Sequence, residues 1–316
     1  MNSIFSWLVL FLDIFFFLSC KTHPDSDRTY AGDGKVYKLR INPAPGSKYQ
    51  YQISNESTLN MEVDSKPIES IKKADVTINY GIEKDSLGDF VLTIGYEKIH
   101  VYTKNNNQES ELSTENSTNS LDPMEKLLGA LKGADIIATV GRAGDVKTVR
   151  GYTEIASKIL SEAASVSLPD KQKMQLQWKT VVEKGMIKKN MDLLFRMFPD
   201  SSVRIGDRWK LTSKDDGDLS FSVNNAYTLI SIKDGIADIE SRGVISSDTA
   251  SALLMGYDVV ANLSGQQQGS YSMDIRTGML VNCKVTAEIE GKIQMMGRDI
   301  PVKMSTGVKM DGKKVH

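Results

Sequence analysis

Imidazoles and thiols, which bind metals and carry proton- and acyl-transfer chemistry, are few in this chain and far apart. Its three histidines are His23, His100 and His316, and no two lie at the spacing that brings imidazoles onto one metal ion. His100 falls in or beside a strand, where a half-exposed imidazole is expected rather than a general base. There is no G-x-S-x-G nucleophile elbow, no H-E-x-x-H helix and no glycine loop leading into a phosphate-binding lysine. Gly141-Arg142-Ala143-Gly144 is followed by Asp145, an acid where a phosphate would sit, so it reads as a hairpin turn. The densest carboxylates, Asp215, Asp216 and Asp218, lack the glutamate that closes a calcium loop and read as a solvated turn. No catalytic, metal or cofactor-binding residue is therefore expected, and no cofactor. A carboxylate pair assembled only by folding escapes such a search, which keeps hydrolysis of an envelope polymer as an alternative.

The two cysteines differ in setting. Cys283 lies in a strand-like run and is expected as a small buried hydrophobe. Cys20 closes Phe17-Leu18-Ser19-Cys20 after an apolar run from Ile4 to Leu18. As a helix that run spans roughly 22 Å, short of the roughly 30 Å hydrocarbon core, so no membrane-spanning helix is expected. The segment resembles a bacterial lipoprotein signal peptide with its lipobox. The resemblance implies that residues 1–19 are removed and that Cys20 is the lipid attachment residue, acylated with palmitate-type chains on its thiol and usually on its new amino terminus. Two or three chains anchor a protein stably where one is marginal. The implied place is the cell envelope, on the outer membrane of a Gram-negative-type cell, with the membrane as partner. Cys283 is then left without a disulfide partner.

Lys and Arg number 39 against 40 Asp and Glu. The first 19 residues hold one acid, Asp13, and no base, so the mature chain balances at 39 against 39. A neutral chain lacks the basic excess that releases counterions from phosphates, which excludes nucleic acid as a partner.

The elements that must position any site are mostly strands. Residues 20–35 have no hydrophobic period and read as a tether, and 36–316 as a single β-rich domain. Tyr49, Tyr51 and Ile53 share one strand face; Val76, Ile78 and Tyr80 repeat the period. The polar stretch 103–120 reads as a long exposed loop. A helical insert is expected at about 152–198, ending in a stripe of Ile187, Met191, Leu194, Phe195 and Phe198 before Pro199. Beyond it, Gly206-Asp207-Arg208-Trp209 echoes Gly46-Ser47-Lys48-Tyr49, and Trp209 is expected to be buried where strands meet helices. The fold class so read is α+β, β-dominated, with two antiparallel β-rich halves about a central helical insert.

The Val203-x-x-Gly206-Asp207-x-Trp209 step, the Phe198-Pro199 helix end and the Asp274-x-x-Thr277-Gly278 hairpin together resemble domain of unknown function 6263, a family of bacterial lipoproteins, over roughly residues 36–312. That resemblance implies the β architecture and the envelope address and brings no functional residues with it. The function expected is non-enzymatic, a cell-envelope component that binds or scaffolds an envelope protein. The alternative is a carrier or sensor of an apolar ligand, lined by the helical stripe Ile187 to Phe198. The lipobox reading is checked at Cys20: Cys20→Ser should leave an uncut precursor, and labelling of that variant by a palmitate analogue would show the reading to be wrong.

Overall fold

The computed structural model describes residues 20–23, 34–63, 65–116, 122–162, 167–169, 172, 175, 178, 191, 195, 197–215, 221–247, 251–254 and 257–315. Ile187, Leu194, Asp216 and Asp218 lie outside them. Fourteen antiparallel strands make one sheet. In chain order they are β1 (Cys20–His23), β2 (Lys48–Val63), β3 (Lys66–Lys84), β4 (Phe90–Asn105), β5 (Gln108–Ser113), β6 (Asp135–Val140), β7 (Val146–Arg150) and β8 (Arg208–Asp215). There follow β9 (Phe221–Lys233), β10 (Ile236–Ser247), β11 (Ser251–Leu254), β12 (Tyr257–Asp274), β13 (Leu280–Met295) and β14 (Arg298–Val315). The helices α1 (Pro123–Leu131) and α2 (Tyr152–Glu162) are short. Across the sheet the order is β1-β8-β9-β10-β12-β13-β14-β2-β3-β4-β6-β7, with β5 added to β4 and β11 to β12.

This corrects the expected α+β class. The two β-rich parts of the sequence are not separate halves about a helical insert, because β14 pairs with β2 from Val302↔Met61 to Val315↔Lys48 and joins them into one sheet. An unpaired strand of that length would leave a row of backbone donors and acceptors open, and mutual pairing satisfies both. The polar stretch from residue 103 is also not a loop throughout. β4 runs on to Asn105, and β5 returns along it from Asn105↔Gln108 to His100↔Ser113. Its polarity has a physical cause: β5 lies beside the main order of strands, and most of its side chains are exposed.

Alternation runs through long stretches of the strands. On β2, Tyr49, Tyr51, Ser57, Leu59 and Met61 point inward and are buried, while Gln52, Ser54 and Glu56 point out. On β13, Cys283, Val285, Ala287 and Ile289 alternate with exposed Lys284, Thr286, Glu288 and Glu290. The outer positions of these stretches are thus mostly polar. The inner face carries two apolar clusters at opposite ends of the strands. The helix-side cluster packs Leu127 of α1, Ile155 of α2, Trp178 and Phe195 against Tyr80, Leu92 and Tyr227. The hairpin-side cluster gathers Leu59, Val223, Ile245, Leu263, Ile289 and Val302, and every described residue in it is a strand residue. An 18-residue strand such as β12 is long enough, at about 3.3 Å per residue, to pass through both.

The two echoing glycine-aromatic steps are built alike. Gly46 N–H donates to Ile82 O and Ile82 N–H to Ser47 O, at 2.7 and 3.0 Å; Gly206 N–H donates to Leu229 O and Leu229 N–H to Asp207 O, at 2.7 and 3.1 Å. Each step sets an aromatic pair across strands, Tyr49↔Tyr80 and Trp209↔Tyr227. Trp209 is buried as expected, stacked on Tyr227 at 5.6 Å, and its Nε1 donates to Met197 O at 3.0 Å where the helical segment ends. Trp209→Ala should cost roughly 3–5 kcal/mol. The loss should read as a lower urea midpoint with the slope unchanged.

Candidate functional site

Residues that partner across antiparallel strands and share a face form rows running across the sheet. One inner row is polar. Thr103 of β4 partners Lys72 of β3, Lys72 partners Ser57 of β2, and Ser57 partners Thr306 of β14. The row continues through Ala287 of β13 and Gln267 of β12 to Gly243 of β10 and Asn225 of β9. Thr103, Lys72, Ser57, Gln267 and Asn225 are all buried. Hydroxyls beside the row are satisfied inside the protein: Ser70 Oγ donates to Asn105 Oδ1 at 2.7 Å, and Ser213 Oγ to Val223 O at 3.4 Å. Within the row, Ser57 Oγ and Asn225 Oδ1 have no hydrogen-bond partner. A buried polar atom left so costs about 1–3 kcal/mol, which makes each a place for a water or a ligand group. Asn225 reaches its position across Gly243, where an added Cβ would stand 2.1 Å from Oδ1.

The adjoining row toward the helices is mostly apolar, with Asn55 in it, and only partly covered on four strands. Val101, Ala74, Asn55 and Val308 are consecutive partners across β4, β3, β2 and β14, and all four are half-buried, as are Val76 and Ile53 beyond them. At either end of the same strands the inward side chains are nearly closed off: Leu59 is 1% exposed and Tyr80 2%. On β3, β2 and β14 the inner face is thus incompletely covered at Val76, Ile53 and Val308, of which Val76 and Ile53 pack against the edge of the helix-side cluster, and beside them lie the buried Lys72 and Ser57 and the half-buried Thr306.

Of the residues picked out from sequence, Met191, Phe195 and Phe198 are buried in the helix-side cluster, with Phe195 edge-on to Tyr80 at 6.3 Å. The backbone of Cys20 partners Ser213 in β1–β8. Cys283 is buried on the inner face, and burial pushes its thiol up to about 12. His100 Nε2 meets Glu111 Oε1 at 2.6 Å on the outer face, a hydrogen bond between neighbouring strands. Asp274-x-x-Thr277-Gly278 is a structural turn. Gly278 has φ +68°, and a Cβ there would stand 2.1 Å from Arg40 O. Burial alone would raise the Asp274 carboxyl, but hydrogen bonds and charge from Arg276 outweigh it and hold it below its ordinary value. Among the described residues no three His, Cys, Asp or Glu gather as a metal site would require. Sequence reasoning missed the strand-borne row, whose one local signal is polar residues at inward positions: Ser57 in β2, Lys72 in β3, Asn225 in β9.

The chain belongs to a family of unknown function, DUF6263, whose profile matches residues 87–280. No curated protein matches in sequence. Solved structures resembling it include an outer membrane channel from Pseudomonas putida F1, 4% identical over 90% of this chain and 100% of that one, TM-score 0.26. Another is OccK7 (OpdD) of Pseudomonas aeruginosa, 5% identical over 85% and 99%, TM-score 0.24. A third is the beta domain of the Bordetella autotransporter Brka, 8% identical over 84% and 99%, TM-score 0.24. Likenesses of this order carry no inference about fold or function.

The environment of Cys283 makes a direct check on the inner face. In the Cys20→Ser protein at pH 8, a thiol held near 12 is ionised in roughly one molecule in ten thousand. Cys283 should therefore stay unreactive toward an aromatic disulfide reagent until urea unfolds the chain. Rapid labelling of the native protein would place it on an open surface.

Proposed function

We propose that this protein is a non-enzymatic lipoprotein of the cell envelope that carries or senses an amphiphile against the inner face of its sheet. The observation that supports this reading is the half-buried band at Val76, Ala74, Ile53, Asn55 and Val308, lying between two clusters of closely covered side chains. Protein interiors are close-packed. A band less covered than both its ends therefore leaves room for another molecule, and binding sites are concave and mostly apolar with a few polar groups.

The rest of the molecule fits a body in water fastened by lipid. Strand outer faces are polar, and no helix among the described residues is long and apolar enough to cross a membrane. Acyl chains on Cys20 supply the anchor in this reading, attached where β1 borders β8. A protein-docking scaffold is less well supported. The exposed apolar residues Ile230, Val244 and Val281 stand on β9, β10 and β13 among polar neighbours, rather than as one patch of several hundred Å².

Val308→Trp tests the carrier reading. In an open band the indole fills ligand space, so the affinity for an apolar naphthylamine dye should fall roughly tenfold or more while the urea midpoint holds; in a closed core the same change should destabilise by roughly 1–3 kcal/mol. A parent protein that does not raise the dye's emission saturably, or a destabilised variant with unaltered binding, would sink the reading.

A further inference from the structure

We infer that the amphiphile is a long-chain monocarboxylate, its head on Lys72, Ser57 and Thr306 and its chain along Val76, Ile53 and Val308. This deepens the carrier reading and rests on it. Lys72, Ser57 and Thr306 are successive cross-strand partners, so their Cβ atoms lie roughly 5 Å apart and one carboxylate reaches more than one of them. Ser57 is 3% exposed and its Oγ has no partner; a carboxylate oxygen is the strong acceptor that such a donor lacks.

Lys72 sets the sign of the head group. It is 7% exposed and the one charged residue in its row from Thr103 to Asn225; the flanking rows, from Val101 to Trp209 and from Asn105 to Ser213, carry no charge. An ammonium inside an apolar face is retained at a cost and favours an anion. Lys72 also engages a group of the chain, and its three donors leave capacity for a ligand oxygen. The wall on β3, β2 and β14 consists of Val76, Ile53 and Val308 with Ala74 and the amide of Asn55 beside them, roughly 7 by 10 Å from strand spacings. That width covers one acyl chain rather than the pair of a phospholipid.

The probes are dansylaminoundecanoic acid and its methyl ester, titrated into the purified chain. The parent should bind the acid roughly tenfold to a hundredfold more tightly than the ester. Lys72→Met should erase that preference and keep ester binding, and Ser57→Ala should weaken the acid several-fold. Equal binding of acid and ester by the parent, or a preference that survives Lys72→Met, overturns the carboxylate assignment and leaves the carrier reading in place. No binding of either probe removes both. If circular dichroism shows that Lys72→Met does not fold, the pair Ser57→Ala and Thr306→Val takes its place, and an unchanged preference there overturns the assignment. Displacement of the acid by lysophosphatidylglycerol at lower concentration than by palmitate also overturns it.

Discussion

The structure depends on covering the inner face of one long sheet. The pairing of β14 with β2 makes the sheet continuous, and its strands of 16 to 19 residues run far beyond the reach of α1 and α2, which have 9 and 11 residues. The helices close one end, where Leu127, Ile155 and Phe195 meet Tyr80 and Leu92. The other end is closed by strand side chains meeting one another, Leu59, Ile289 and Leu263 among them. Between these two means of closure lies the band at Val76, Ile53 and Val308, which neither covers fully.

The polar row gains its meaning from that setting. In a β core, inward positions are apolar because burying a hydroxyl or an amide without a partner costs free energy. Native domains are stable by only about 5–15 kcal/mol, so two orphaned atoms, Ser57 Oγ and Asn225 Oδ1, are a substantial concession. Gly243 gives up a side chain so that Asn225 can lie where it does.

The short motifs around Gly206 and Asp274 serve geometry. Gly206-Asp207-x-Trp209 ties a strand start to the helix end through the Trp209–Met197 bond. In the Asp274 turn, Asn42 N–H donates to Thr277 O at 2.8 Å and holds the segment before β2 against the end of β12. Both lie at the helix-side end, where chain segments of different kinds converge and turns need particular residues. The floor of the band needs only the right register, which leaves no compact motif in the chain.

Strand alternation in the chain by itself determined that Tyr49, Tyr51, Cys283 and Trp209 face inward, because a strand's side-chain period of two is a local property. Turn chemistry at Gly278 was legible because it too is local. The apolar helical stripe could be read as buried, but whether Met191 and Phe195 met a ligand or a core depended on how far the helices reach along the sheet. The fold class misread from the sequence, the strand within residues 103–120 and the polar floor were tertiary decisions. Ser57 meets Lys72 through a hairpin and Thr306 only through the β14–β2 pairing of distant segments. Register between distant strands is set by which faces bury together, a property of the whole sheet and of no single stretch of the chain.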